Sequence, residues 1–210
     1  MPLPFSTRRA SVAWLLPFAL GLLVPPVPAQ VIEYEANGLK YQTATREGLT
    51  VIVTRLPNHV AGFAMVQVSI SNGGQTYRVI RPQDFAFVRN EAAAAALPTN
   101  QVVDMLLGKA THNDVVKLVS SYEAALYGIP HMRSTNGYEE RRQSAMSYGM
   151  PSRLKAAATA SAIALNQARL APGQSTDGAV FIPLSHEMKT LTGGHLVFRS
   201  GNETFEFNPE

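Results

Sequence analysis

Histidine and methionine side chains are the residues of this chain with the most readily named chemistry. His131-Met132 forms one pair, His186-Glu187-Met188 holds another, and Met146 lies between them. Thioether and imidazole ligands suit Cu(I), so the pattern predicts, as an alternative function, a periplasmic Cu(I)-binding carrier. His131 and Met146 are 15 residues apart and Met146 and His186 are 40 apart, so only the fold could bring them together. Since Met also fills irregular gaps in cores, we expect no bound metal or cofactor.

A second short pattern could supply a nucleophile. Ser152-Arg153-Leu154-Lys155 has Ser-x-x-Lys spacing at a predicted helix start, where the nucleophile of a penicillin-binding enzyme would lie. Only 55 residues follow Lys155, too few for the rest of such an enzyme. We therefore expect Ser152 to be a helix N-cap. A hydrolase with an unrecognised site is a second alternative, and the sequence favours a protein without catalysis.

The N-terminal residues predict export. Arg8-Arg9 precedes an apolar run from Val12 to Val24, and small residues lead up to Ala29. This layout is typical of a secretory signal. The run of about 13 residues is shorter than the roughly 20 that a membrane span needs. We predict a signal peptide over residues 1–29, cleaved between Ala29 and Gln30, and an exported protein, periplasmic or extracellular. The competing interpretation is an uncleaved N-terminal anchor.

The composition of residues 30–210 predicts a single domain held together by burial. Removing 29 of the 210 residues leaves 181, enough for one hydrophobic core. The remaining 16 Lys and Arg nearly balance 15 Asp and Glu, and no run of five or more like charges occurs, so neither nucleic acid nor a membrane surface is an expected partner. Without cysteine, no disulfide contributes.

Strand patterns dominate both ends of this region. Between Val31 and Leu97, the residues Val66, Val68 and Ile70 alternate with polar residues, which predicts a strand with one buried and one wet face. Asn72-Gly73-Gly74 then predicts a turn, with Gln75 to Ile80 as the return strand. From Gln174 to Glu210 the chain returns to strands.

The middle of the chain, about residues 99–169, changes to helical spacing. In the second helix, Val116 is expected to be buried, and Gly128 is expected to end the helix in a left-handed conformation. The last helix is predicted from Pro151 to Arg169 and is rich in alanine. It either packs on its own domain or forms an interface with another chain. We also expect the surrounding strands to fold without this helical stretch.

An exposed apolar contact for a partner is predicted around the loop from Ile129 to Gly137. The expected contact residues are Tyr127, Ile129, Met132 and Tyr138.

Three stretches resemble the telokin-like, immunoglobulin-like extracellular domains of bacterial exported proteins of poorly known function. They are Val66 to Gly74, Val79 to Phe85 and Pro172 to Phe181. The resemblance implies an immunoglobulin-like β-sandwich and no catalytic residues.

Together these patterns predict a mainly β fold with an α insertion: an immunoglobulin-like β-sandwich with a helical insertion, about 99–169, between its two β segments. The expected function is a non-catalytic binding or assembly module, whose partner is another protein of the cell envelope.

Export makes a direct prediction. N-terminal sequencing of the exported protein should read Gln30-Val31-Ile32, because Val27 and Ala29 supply the small residues that precede a cleavage site. An intact N-terminus in the membrane fraction would contradict both cleavage and export in soluble form.

Overall fold

The protein is mainly β, with eleven strands and four helices in the part of the chain that can be described. The computed structural model describes residues 30–128 and 134–209, so the predicted signal peptide and Ala29 lie outside it. No helix in these two ranges is long and apolar enough to cross a membrane.

The four helices follow one another in the chain between two groups of strands. The strands before them are β1 (Ile32–Ala36), β2 (Leu39–Arg46), β3 (Leu49–Arg55), β4 (Phe63–Asn72), β5 (Arg78–Ile80), β6 (Phe85–Arg89) and β7 (Ala92–Ala95). The helices are α1 (Thr99–Lys109), α2 (His112–Leu126), α3 (Tyr138–Ala145) and α4 (Ser152–Ile163). The strands after them are β8 (Ala168–Leu170), β9 (Ser175–Pro183), β10 (His195–Ser200) and β11 (Glu203–Phe207).

These strands form two large antiparallel sheets and a small ribbon. One sheet has the order β1-β2-β3-β4-β9 and the other has the order β11-β10-β6-β7, while β5 pairs with β8 alone. The chain passes from β4 in the first sheet to β6 in the second, and returns to the first sheet only at β9, after the helices. Each sheet therefore contains strands that precede the helices in the chain and strands that follow them.

The two sheets share one hydrophobic core. The inward residues of β4, including Val68 and Ile70, are buried with Phe85 of β6 and Phe198 of β10. The rings of Phe85 and Phe198 stack with centroids 4.3 Å apart. The prediction that Val68 and Ile70 share a buried face is confirmed, because the side-chain period of a strand is two.

A second core lies between the other face of the five-stranded sheet and the helices. Phe63 and Met65 of β4 and Phe181 of β9 are buried there with apolar residues of all four helices. The predicted wet face of β4 is therefore covered along part of its length, and even Gln67 is buried. Replacing the helices by a linker would expose these large side chains. The structure thus gives a physical reason against independent folding of the strands.

The predicted return strand after β4 is wrong. β4 pairs with β3 on one side and with β9 on the other, so it has no free edge for the following residues. The buried Asn72 side chain fixes the exit of the chain, with its amide donating to the carbonyls of Thr76 and Leu170 at 2.8 and 3.1 Å. Residues Arg78–Ile80 are thereby led to β8 instead.

The last helix ends at Ile163, earlier than the predicted Arg169. The backbone is extended at Ala164, and the Leu165 amide donates to the Ala179 carbonyl of β9 at 2.9 Å. This crossing requires a glycine at position 178, because a Cβ there would lie 2.5 Å from the Leu165 nitrogen. Backbone pairing with β9 thus overrides alanine's helix propensity.

Substitution of Ile70 measures the burial of the inner face. Ile70→Ala should lower the free energy of unfolding by about 2–4 kcal/mol in chemical denaturation, because Ile70 has no exposed surface. Ile52→Ala is the matched control, since Ile52 lies on the opposite face of neighbouring β3 and is half-buried, and it should cost under about 1 kcal/mol. Equal losses would mean that the register is wrong.

Candidate binding surface

Helix α2 begins at a capping box and is the element that carries the candidate surface. The carboxylate of Asp114 accepts hydrogen bonds from the Thr111 amide and hydroxyl, both at 2.7 Å. This arrangement gives the amide of Thr111, the N-cap residue of the helix, a hydrogen-bond acceptor. The helix runs to Leu126 and buries Val115, Leu118, Tyr122 and Leu126.

Two tyrosine hydroxyls fix α2 on the five-stranded sheet. Tyr41 of β2 donates to the Ala125 carbonyl at 2.8 Å, and Tyr122 of α2 donates to Asp177 of β9 at 3.0 Å. Burial raises the pKa of Tyr41 to about 12, and burial together with the Asp177 charge raises the pKa of Tyr122 further. Both hydroxyls therefore keep their protons and act as donors at neutral pH.

Gly128 ends α2 for a different reason from the predicted one. Its φ is not positive. A Cβ at this position would instead lie 2.5 Å from the Tyr41 hydroxyl and 2.8 Å from the Ala124 carbonyl. The glycine is needed because the Tyr41 hydroxyl approaches the end of the helix closely.

Asp177 is a buried carboxylate that joins the sheet, α2 and the segment before α3. Only 1% of Asp177 is exposed. Its Oδ1 accepts from the Thr135 amide at 2.6 Å and the Thr135 hydroxyl at 2.7 Å. Its Oδ2 accepts from Tyr122 and from the Ser134 hydroxyl at 3.1 Å. The Asn136 side-chain amide donates to the Asp177 backbone carbonyl at 2.8 Å, so three consecutive residues are held to one strand position.

Tyr138 differs from the expected exposed contact, because its side chain has no exposed surface. Its ring packs edge-on against Tyr122 with centroids 4.9 Å apart, and its hydroxyl donates to Glu123 at 2.9 Å. Glu123 also pairs with Arg142 of α3. Tyr138 therefore locks α3 onto α2 and is unavailable to a partner.

Tyr127, the C-cap residue of α2, is exposed as predicted, and it completes an uncharged stripe along this helix. Val116, Ser120, Ala124 and Tyr127 are spaced by four, four and three residues and are all exposed. Val116 is 51% exposed, so its predicted burial is wrong, and Tyr127 is also 51% exposed. Residues spaced in this way share one helix face. We call these four residues the α2 stripe. Exposed helix faces in globular proteins are ordinarily polar or charged, which makes the stripe a candidate contact.

The structure describes some of the remaining predicted site residues and not others. Ile129, His131 and Met132 lie outside the described residues. Met188 is buried in the core between the two sheets, whereas Met146 is exposed at the end of α3, on the helical side. His186 is exposed. Within residues 30–128 and 134–209, no cluster of three His, Cys, Asp or Glu side chains is placed to hold a metal ion.

Ser152 is the first residue of α4, and Pro151 occupies the N-cap position without a side-chain hydrogen bond. The predicted capping role of Ser152 is therefore wrong. α4 itself packs among the other helices, with Ala156, Ala157 and Ala160 buried, which places this alanine-rich helix within its own chain.

Sequence reasoning missed both Asp177 and the stripe. Asp177 lies in the segment from Gln174 that is predicted to return to strands, and its partners are 41 to 55 positions away in the chain. The one signal that could have identified Asp177 is the presence of an acidic residue within a run of strand-forming residues. The stripe was not predicted because Val116 follows the buried Val115, and the sequence alone assigns both valines to the core.

Comparison with known proteins yields no relative. No family model, no curated protein and no solved structure matches this chain.

The Asp177 centre makes a stability prediction. Asp177→Asn should lower the free energy of unfolding by about 2–3 kcal/mol, because the amide replaces one acceptor oxygen by a donor that faces buried donors. Asp104→Asn, at an exposed position of α1, is the matched control and should change stability by less than about 0.5 kcal/mol. Indistinguishable effects in chemical denaturation would show that the carboxylate does not hold the helices.

Proposed function

We propose that this protein is an exported, non-catalytic binding or assembly module with an immunoglobulin-like fold, and that the α2 stripe contacts a protein partner in the cell envelope. The observation that carries the proposal is the uncharged, exposed stripe from Val116 to Tyr127 on a helix that the buried Asp177 holds in place. A rigid, partly apolar helix face suits recognition of another protein surface, because little freedom is lost on binding.

The fold proposal is supported by strand order. In an immunoglobulin-like sandwich, strands A, B and E share one sheet and strands C, F and G share the other. Here β3, β4 and β9 are consecutive in one sheet, and β11, β10 and β6 are consecutive in the other. β7 then corresponds to the additional strand C′ beside C. In this correspondence the helices are an insertion between C′ and E, which agrees with the resemblance to telokin-like domains.

The export proposal rests on the sequence. Residues 1–29 carry the charged, apolar and small-residue regions of a secretory signal.

The contact surface is tested by affinity capture of residues 30–210 from an envelope extract. The wild-type protein should retain a specific, stoichiometric protein partner. Ala124→Glu should reduce the capture at least tenfold, because a charge in the centre of an apolar contact must be desolvated.

Gln101→Glu is the matched control, since it adds the same charge at an exposed position of α1 outside the stripe. It should leave capture unchanged. Full capture by Ala124→Glu would rule out the stripe as the contact, and the lack of any stoichiometric partner would contradict the binding function itself.

A further inference from the structure

At its β7 edge, the four-stranded sheet carries backbone groups that no other described strand pairs with. β7 pairs with β6 alone, and its other edge has no strand beside it in the described chain. The Ala96 amide donates to Phe85 at 2.8 Å, which makes Phe85 and Ala96 a hydrogen-bonded pair. Such pairs alternate along an antiparallel ladder, so Ala94 also faces β6. Ala93 and Ala95 therefore direct their N–H and C=O groups away from the sheet.

The position of this edge is fixed by a tight hairpin. Asn90 and Glu91 connect β6 to β7, and their φ angles of 48° and 67° are both positive. Positive φ at both central residues is typical of a type I′ turn, whose backbone twist matches that of the two strands it connects. β7 is therefore held in one register against β6.

A groove lies beside this edge, next to the point where the segment after β7 makes its backbone hydrogen bond to β9. The Leu97 amide donates to the Phe181 carbonyl at 2.9 Å, so the segment after β7 contacts β9 there. Two residues further along β9, Pro183 has no N–H to offer. The Leu184 amide then turns away to the Gly62 carbonyl at 2.8 Å. The resulting groove of about 470 Å³ is lined by Ala92–Ala94 on one side and by residues 183–185, 187 and 188 on the other.

We propose that the free edge of β7 accepts an extended, uncharged peptide segment of another protein as an added strand in this groove. Unpaired edge groups are a template for strand addition, and proteins ordinarily protect such edges with Lys, Pro or a bulge. β7 consists of four alanines, of which three are exposed, so β7 itself places no bulky or charged side chain in the path of an incoming strand.

The charge of the groove defines the chemistry of its occupant. Its lining carries one cation, Arg89, and one anion, Glu187, and the Arg89 guanidinium donates to the Glu187 backbone carbonyl. The rest of the lining is uncharged and mostly apolar, and consists of Asn90, Ala92, Ala93, Ala94, Pro183, Leu184, Ser185 and Met188. Because its one cation and one anion balance, this lining complements a segment with small, uncharged side chains.

A single strand fits this geometry better than a second copy of the chain. In a second copy, β6 and the rest of its sheet lie beside β7. Pairing the β7 edges of two copies would therefore place a whole sheet beside the groove. Residues 183–185, 187 and 188 already line the groove, and a single added strand demands less of that space than a sheet does. The proposal concerns a different surface from the α2 stripe and does not depend on it.

The test uses ¹⁵N-labelled protein, residues 30–210, and the capped peptide Ser-Ala-Val-Ala-Val-Ser. The matched peptide has the same side chains with N-methyl groups on both alanines and both valines, so its four central residues cannot donate backbone hydrogen bonds. We expect the first peptide to bind and to slow hydrogen exchange at the Ala93 and Ala95 amides at least tenfold. The Ala94 amide, which already faces β6, should change less.

The methylated peptide should bind at least tenfold more weakly. Because this control alters the peptide only, it is independent of protein folding. Ala93→Pro, which removes an outward donor at an edge position where proline is tolerated, should weaken binding similarly, while Ala93→Ser should not.

Three results would overturn the proposal. They are no binding of the peptide at about 1 mM, equal binding of the two peptides, and binding without protection of Ala93 and Ala95. Concentration-dependent protection of these amides without peptide, together with dimers in sedimentation, would instead assign the edge to a second copy.

Discussion

The hydrogen bonds accepted by the buried carboxylate of Asp177 join the strands and the helices into one structure. A buried charge is expensive unless hydrogen bonds replace its lost water, and here Tyr122, Ser134 and Thr135 supply them. The donors come from α2 and from the segment before α3, while the acceptor belongs to β9. Since β9 reaches its sheet only after the helices, the chain cannot complete that sheet without also positioning the helices.

The same constraint explains why the five-stranded sheet is buried on both faces near β4 and β9. One face of β4 packs against the four-stranded sheet, and the other packs against helices that also cover Phe181. Tyr41 and Gly128 add a second fixed point, where a hydroxyl meets the end of α2 without room for a side chain. The α2 stripe is consequently presented on a helix with two independent attachments to the sheet.

Much of the β structure could be predicted because alternation and turn residues are local signals. The face shared by Val68 and Ile70, and the hairpin between β10 and β11, follow from residues adjacent in the chain. The pairing of Arg78–Ile80 with β8 could not be predicted, because it depends on which strand edges are already occupied. The end of α4 at Ile163 was missed for the same reason, since the backbone of β9 captures Leu165. For the candidate surface, the exposure of Tyr127 could be predicted, whereas the burial of Tyr138 depends on its distant contacts with Tyr122 and Glu123.

Native-state hydrogen exchange in increasing denaturant tests most directly whether helices and sheet form one unit. If Asp177 joins them, amides of α2, α4 and β9 should converge on a single opening free energy and a single denaturant dependence. A contradictory result would be exchange of the α2 and α4 amides through an opening of clearly lower free energy, while the amides of β4 and β9 stay protected.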